Sequence, residues 1–130
     1  MKIRKCLSLK QPFAELVVSG KKTIELRKWN TNFRGEFLIH ASKKLNEEAC
    51  ERNKIDPNSL TKGAIIGKAV LYDVRVYDNE HSFLRDKGMH FATKKSADHK
   101  YGFLLKGAKK FHVPIFIRGQ LKFFKVKYGK

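Results

Sequence analysis

Residues 20–27 read Gly-Lys-Lys-Thr-Ile-Glu-Leu-Arg, and no other stretch constrains the chain as tightly. A glycine turn feeds a short extended segment. Side chains alternate along a strand, so Thr23, Glu25 and Arg27 share one face while Ile24 and Leu26 point to the other, which suits a core. Lys22 stands at the turn beside the polar row. A lysine, a carboxylate and a guanidinium thus gather within a few residues.

The remaining chain reads mostly as strands. Residues 3–9 alternate and predict a first strand. Gln11 to Gly20 predicts a short helix, with Pro12 in its first turn, Phe13, Leu16 and Val17 as its apolar stripe and Gly20 as its stop. Further strands are expected over 23–27, 36–42, 63–77 (bent at Gly67), 101–105, 113–118 and 121–127, the last two joined near Gly119. Short helices are expected over 45–53 and 81–87, a turn at 56–59, a loop over 88–99 and a turn-like segment over 107–110. About six strands with short helices inserted between them give an α+β, mainly β fold, a closed or nearly closed barrel without exposed edges. The 130 residues are expected to form a single domain, long enough to bury a core.

Charge narrows the partners. The chain carries 29 Lys+Arg against 12 Asp+Glu, a formal net charge of +17. The last acidic residue is Asp98, so residues 99–130 are basic without an acidic side chain. Charge this lopsided repels itself unless a polyanion neutralises it, and nucleic acid is the first candidate. A lysine-rich thermophilic composition is the plain alternative, but that composition raises glutamate together with lysine. No apolar run reaches the roughly 18–20 residues that span a bilayer, and the N-terminus lacks the apolar core of a signal peptide. Cys6 and Cys50 stand far apart without a CxxC, which suits reduced thiols in the cytoplasm, or the nucleus in a eukaryote. The five histidines form no metal-binding pattern, so neither metal nor cofactor is expected.

Cys6 to Phe13 (Cys-Leu-Ser-Leu-Lys-Gln-Pro-Phe), the octapeptide at 20–27, Trp29 and Arg34-Gly35 together resemble the ASCH domain, the activating signal cointegrator 1 homology domain. The family hallmark Gly-x-Lys-x-x-Glu-x-Arg is matched by Gly20, Lys22, Glu25 and Arg27. The likeness continues through Leu38–Ser42, Gly63–Gly67 and Phe111–Lys127, so it covers nearly the whole chain. The resemblance implies a PUA-like β-barrel with a cleft where the hallmark residues converge. It also implies RNA or DNA binding, or processing of a nucleoside.

Within that frame the candidate ligand-binding residues are Ser8, Lys10, Gln11, Lys22, Glu25, Arg27, Trp29, His40, Lys43 and Lys44. Lys22 would contact a phosphate or, if desolvated, act as nucleophile or base. Glu25 would accept from a base amino group or fix Arg27, and Arg27 suits bidentate contact with phosphate or base. Ser8, Lys10 and Gln11 sit where a helix start offers backbone N–H groups to an anion, though capping serves Ser8 and Gln11 equally well. Trp29 would either stack on a base or lid the barrel core. His40 faces away from Ile39 and Ala41, toward a cleft or into a structural hydrogen bond. Lys43 and Lys44 would widen the basic surface.

Three functions compete. The first is a non-catalytic nucleic-acid-binding module, RNA favoured over DNA, monomeric and away from membranes. The second is an enzyme using Lys22 and Glu25. Some small bacterial ASCH proteins are N4-acetylcytidine amidohydrolases whose lysine maps onto Lys22 but which carry threonine where this chain has Glu25, and ribonuclease activity is also attached to the family. The third is an interaction module on a translation or transcription assembly.

Overall fold

The computed structural model describes residues 2–93 and 99–129. Its elements run β1 (Lys2–Gln11), α1 (Phe13–Val18), β2 (Ile24–Arg27), β3 (Gly35–Leu45), α2 (Glu47–Arg52), a 3₁₀ turn (Pro57–Ser59), β4 (Ala64–Val76), α3 (Glu80–Arg85), α4 (Lys87–His90), β5 (Tyr101–Phe116) and β6 (Phe123–Tyr128). The six strands form one mixed sheet in the order β2-β5-β4-β3-β1-β6. Neighbours are antiparallel except β1 and β3, which run parallel with Cys6 opposite Leu38 and Ser8 opposite His40. A parallel pair needs a long crossover, and here α1, β2 and the loop after it supply it.

Alternation along the strands sorts side chains onto two faces. Leu7, Leu9, Phe37, Ile39, Ile66 and Phe103 pack into the main core together with Ala14, Val17 and Val18 of α1, which plugs the curled sheet. The opposite face carries a smaller cluster of Cys6, Leu38, Ile65 and Phe124. Ser8 and His40 lie on this second face, because each is two residues from a member of that cluster. The edge strands β2 and β6 are not paired with each other among the described residues. Aromatic rings close the gap: Trp29, just past β2, meets Phe123 of β6 edge-on at 5.8 Å and Phe103 of β5 at 5.3 Å. Phe33 and Phe37 add two more rings around Phe123. The barrel is thus sealed by packing where its ladder of hydrogen bonds stops.

Several expected boundaries shift. Residues 107–110 are not a turn and 113–118 is not a separate strand: 101–116 form one long β5, whose register against β4 slips at three places. Bulges let a single strand bend where the glycine at 107 suggested an ending. The segment 117–122 is a loop, and β6 begins only at Phe123. The first helix is shorter than expected because Gln11 ends β1, and Gly20 (φ +83°) stops the chain just beyond it. The expected loop over 88–99 begins as α4, and its residues 94–98 lie outside the described residues. Asn46 caps α2 through the Ala49 N–H, which fixes its start two residues later than the composition suggested. Cys6 and Cys50 are both free and buried. No helix among the described residues is long and apolar enough to cross a membrane.

Gly67 marks where β4 and β5 press against α1. A Cβ there would stand 2.3 Å from the Lys109 carbonyl oxygen and 2.6 Å from Val18 Cγ1. Neither neighbour can yield without moving a strand or the helix. Gly67→Ala is therefore expected to destabilise the fold by about 1–3 kcal/mol, the usual cost of overpacking a filled core. Urea denaturation read by circular dichroism measures it, and an unchanged midpoint would show that this junction is slack.

Candidate functional site

The octapeptide builds its site by turning inward. After α1 ends, the backbone N–H groups of Lys21 and Lys22 both bond to the Leu16 carbonyl, which aims the Lys22 side chain under β2. Lys22 is 3% exposed. Its ammonium donates to the carbonyls of Ile24 (2.5 Å) and His90 (2.8 Å) and lies 3.3 Å from Glu25 Oε1. Three donors thus meet three oxygens. Burial pushes its pKa below the ordinary lysine value, against the pull of the Glu25 carboxylate. The turn placement read from the sequence holds for the backbone, while the side chain is desolvated.

Glu25 sits between two cations. Its other oxygen, Oε2, accepts from Arg27 Nε at 3.0 Å and lies 2.9 Å from Arg27 Nη2, a close ion pair centred on one oxygen. Arg27 Nη2 also donates to the Ser8 carbonyl at 2.9 Å. Pairing between β1 and β6 ends at Leu7, so this carbonyl lies just past the last ladder contact on that side. Arg27 Nη1 makes no hydrogen bond to the described residues, which leaves one end of the guanidinium for a ligand.

Ser8 and His40 adjoin because the parallel register sets them side by side. Ser8 Oγ lies 2.8 Å from His40 Nδ1, and His40 Nε2 lies 2.8 Å from the Ile117 carbonyl oxygen. A carbonyl only accepts, so Nε2 carries the proton and the Ser8 hydroxyl donates to Nδ1. The loop 117–122 lies against this pair: a Cβ on Gly119 would stand 2.7 Å from the imidazole and 2.9 Å from Ser8 Oγ.

These groups line a cleft of about 1190 Å³. Among the described residues ten lysines and arginines border it against two glutamates. Both glutamates are paired, Glu25 as above and Glu48 with Arg52. Of the residues singled out in the sequence, the cleft gathers Ser8, Lys10, Lys22, Glu25, Arg27, Trp29, His40, Lys43 and Lys44. Gln11 is not among them. It is fully buried, with its amide donating to the Thr61 carbonyl at 2.7 Å and its Oε1 accepting the Glu15 N–H at 3.0 Å. It therefore caps α1 and fills the amide expected to meet an anion. Trp29 lids the core and also lines the cleft, with Lys122 Nζ 5.6 Å from its ring centre. Leu26 borders the cleft too, although alternation assigned it to the core face.

His90, Lys62, Arg118, Gly119 and Lys122 reach the cleft without having been singled out as site residues. His90 lies in a stretch expected to be a loop. Arg118 and Lys122 were part of the general basic tail. His90 is 1% exposed, stacked on Phe83 at 4.2 Å, with Nε2 bonded to the Phe83 carbonyl at 2.7 Å and Nδ1 accepting the Ala92 N–H at 3.0 Å. Both ring nitrogens are committed to the neutral form. Next to it, burial pushes the Asp86 carboxyl up, but the Tyr77 hydroxyl (2.6 Å) and the Arg75 guanidinium (2.5 Å) outweigh it and hold it below the usual carboxylate range.

A curled, mainly β sheet plugged by one helix, with a cationic cleft at the hallmark strand, defines a PUA-like β-barrel. The chain belongs to the ASCH family: the ASCH domain model matches residues 7–113. It is similar in structure to the ASCH protein of Zymomonas mobilis, at 22% identity and a TM-score of 0.60 over 86% of this chain and 72% of that one. Two single-substitution variants of that protein match alike, at 22% and 21% identity with TM-scores of 0.60 and 0.57, over 87% and 86% of this chain and 73% and 74% of theirs. No curated protein matches the chain.

The His90 environment has a pH signature. Burial lowers its pKa from an ordinary value of 6.5, with the Lys22 charge acting in the same direction against the Phe83 hydrogen bond and Asp86. Between that value and the lower folded one, the unfolded chain binds more protons, so stability falls as pH drops below about 6.5. Asp86 does not blur this window, because its contribution fades only below the ordinary value of 3.8. The urea midpoint is expected to fall between roughly pH 7.5 and roughly pH 5.5, and His90→Gln is expected to flatten that fall. Equal slopes in the two proteins would assign the acid sensitivity to other groups.

Proposed function

We propose that this protein is a nucleic-acid-binding module, with RNA favoured over DNA, that receives its ligand in the cleft at the hallmark strand. The observation that carries this reading is the charge of the cleft: ten cations, with its two carboxylates already paired. Its volume of about 1190 Å³ exceeds the roughly 300–1,000 Å³ typical of small-molecule sites, which favours part of a polymer over a free nucleoside. Lys10, Lys43, Lys44, Arg118 and Lys122 are exposed at the cleft and would meet phosphates, which position a ligand without reading its sequence. Arg27 Nη1 and the outer lone pairs of Ser8 Oγ would then meet a base edge or a ribose hydroxyl, the group that distinguishes RNA from DNA.

Hydrolysis of a modified nucleoside through Lys22 and Glu25 has one observation in its favour, the desolvated lysine. That amine, however, is held by two carbonyls and a carboxylate, and freeing it for attack would break all three contacts. The same geometry favours Lys22 as a structural cation, with Lys10, Lys43, Lys44, Arg118 and Lys122 the accessible ones.

Fluorescence anisotropy with single-stranded RNA, duplex RNA and duplex DNA tests the proposal. With the five phosphates at these cations neutralised, affinity for a single strand is expected to fall about 10²-fold between about 50 and about 200 mM salt. Replacing Arg118 and Lys122 together by alanine is expected to lower the slope of log affinity against log salt by about 0.7 for each lost contact on a single strand. Binding indifferent to salt, or a slope unchanged in that variant, would overturn the assignment to this cleft.

A further inference from the structure

We propose that the cleft takes a single-stranded segment of RNA, with one unpaired base lying flat on the ring of Phe116. This rests on the nucleic-acid function proposed above and adds to it the strandedness of the ligand and the side chain that selects it. Nine large apolar side chains stand exposed among the described residues, and two of them, Phe116 at 70% and Leu121 at 92%, border the cleft. The rings of Phe13, Trp29 and Phe91 border it too, but all three are half-buried. Lys22 Nζ lies over the Phe13 ring and Lys122 Nζ over that of Trp29, which also meets Phe103 and Phe123 edge-on. Phe116 makes no ring contact to the described residues. Its apolar face is left to water, and covering it with another apolar face is favourable.

The ring is also held in place. Phe116 is the last residue of β5 and pairs with Ala64 of β4. Just beyond it the Ile117 N–H donates to the Gly63 carbonyl at 3.2 Å, and the Ile117 carbonyl accepts from His40 Nε2 at 2.8 Å. His40, buried and bonded to Ser8, thus pins the backbone beside the ring. A platform fixed before the ligand arrives loses little freedom on binding. Exposed cations flank it: Arg118 and Lys122 on the loop that follows, and Lys43, whose side chain runs past Gly63. Phosphates that meet cations while bases stack on an aromatic ring make up the general mode of single-strand binding. Inside a duplex each base face is covered by its neighbours, so no base reaches Phe116 without unstacking. A protein partner fits less well. Val113 and Ile115, the other exposed apolar side chains of β5, do not border the cleft. The apolar surface there is two side chains among cations, whereas the core of a protein interface is depleted of charge.

The test is fluorescence anisotropy at fixed salt, with a single-stranded RNA oligomer, an RNA duplex and a ribose-phosphate oligomer that lacks bases. Phe116→Ala is expected to weaken binding of the single strand about 5-fold to 150-fold, the usual contribution of one stacked base. The salt slope should stay the same, because no charge is lost. The duplex and the baseless strand should bind wild type and variant alike. Phe116→Trp should hold the single strand as well as wild type does, and so should Val113→Ala, which is as exposed but off the cleft. The ring is on the surface, so Phe116→Ala is expected to keep the wild-type urea midpoint. Single-strand affinity unchanged in Phe116→Ala, an equal loss on the baseless strand, or an equal loss in Phe116→Trp or Val113→Ala would overturn the proposal and leave the nucleic-acid function standing. So would a smaller sedimenting species in Phe116→Ala with RNA affinity unchanged, which assigns the ring to contact between copies of the chain. Wild type that shows no salt-dependent binding to any of the three would instead overturn the nucleic-acid function itself, and this proposal with it.

Discussion

The cleft depends on one buried carboxylate held between two cations. Glu25 alone, at 8% exposure, would be costly to leave ionised. Lys22 below it and Arg27 beside it offset that cost, and each then ties Glu25 to another element. Lys22 reaches the His90 carbonyl and so anchors α4 to β2. Arg27 reaches the Ser8 carbonyl and so anchors β2 to β1 where no ladder joins them. Removing one partner of such a pair strands the other charge in the interior, typically at about 3–5 kcal/mol. The residues that look most like ligand groups in the sequence are therefore first of all the frame that holds the cleft open.

This frame sorts the charges by depth. At the floor, Lys22 and Arg27 share the single carboxylate of Glu25. At the rim Lys10, Lys43, Lys44, Arg118 and Lys122 are exposed. A rim of like charges opposes itself, and a bound polyanion relieves that repulsion, so ligand binding and fold stability are thermodynamically linked. Trp29 lines the same cleft, and behind it the Trp29 and Phe123 rings seal the barrel.

Much of this was legible before the fold was known. The alternation in 20–27 correctly joined Glu25 with Arg27 and sent Ile24 inward, and the β-rich runs marked all six strands of the sheet. What could not be read was contact between segments distant in sequence. Ser8 and His40 are 32 positions apart and meet only through a parallel register that no local pattern encodes. Gln11 looked like an anion ligand because the end of β1 and the start of α1 overlap in sequence, and its burial follows from the Thr61 loop folding over it. His90 carried no pattern because its partners, Phe83 and Lys22, lie on different elements. The glycine at 107 misled for a physical reason: glycine marks turns and bulges alike, and only pairing with β4 decides between them.

The pairing of β1 also bears on how the chain is made. The first strand has the middle strand β3 on one side and the last strand β6 on the other, with Lys2 opposite Tyr128. A nascent chain leaving the ribosome therefore holds its first strand long before β6 exists, and contacts this distant in sequence form slowly. Until β6 emerges, the face formed by Cys6, Leu38 and Ile65 lacks the Phe124 ring that covers it. Assembly of this barrel in that sense waits for β6, with vectorial synthesis supplying its parts in an order that the sheet does not follow.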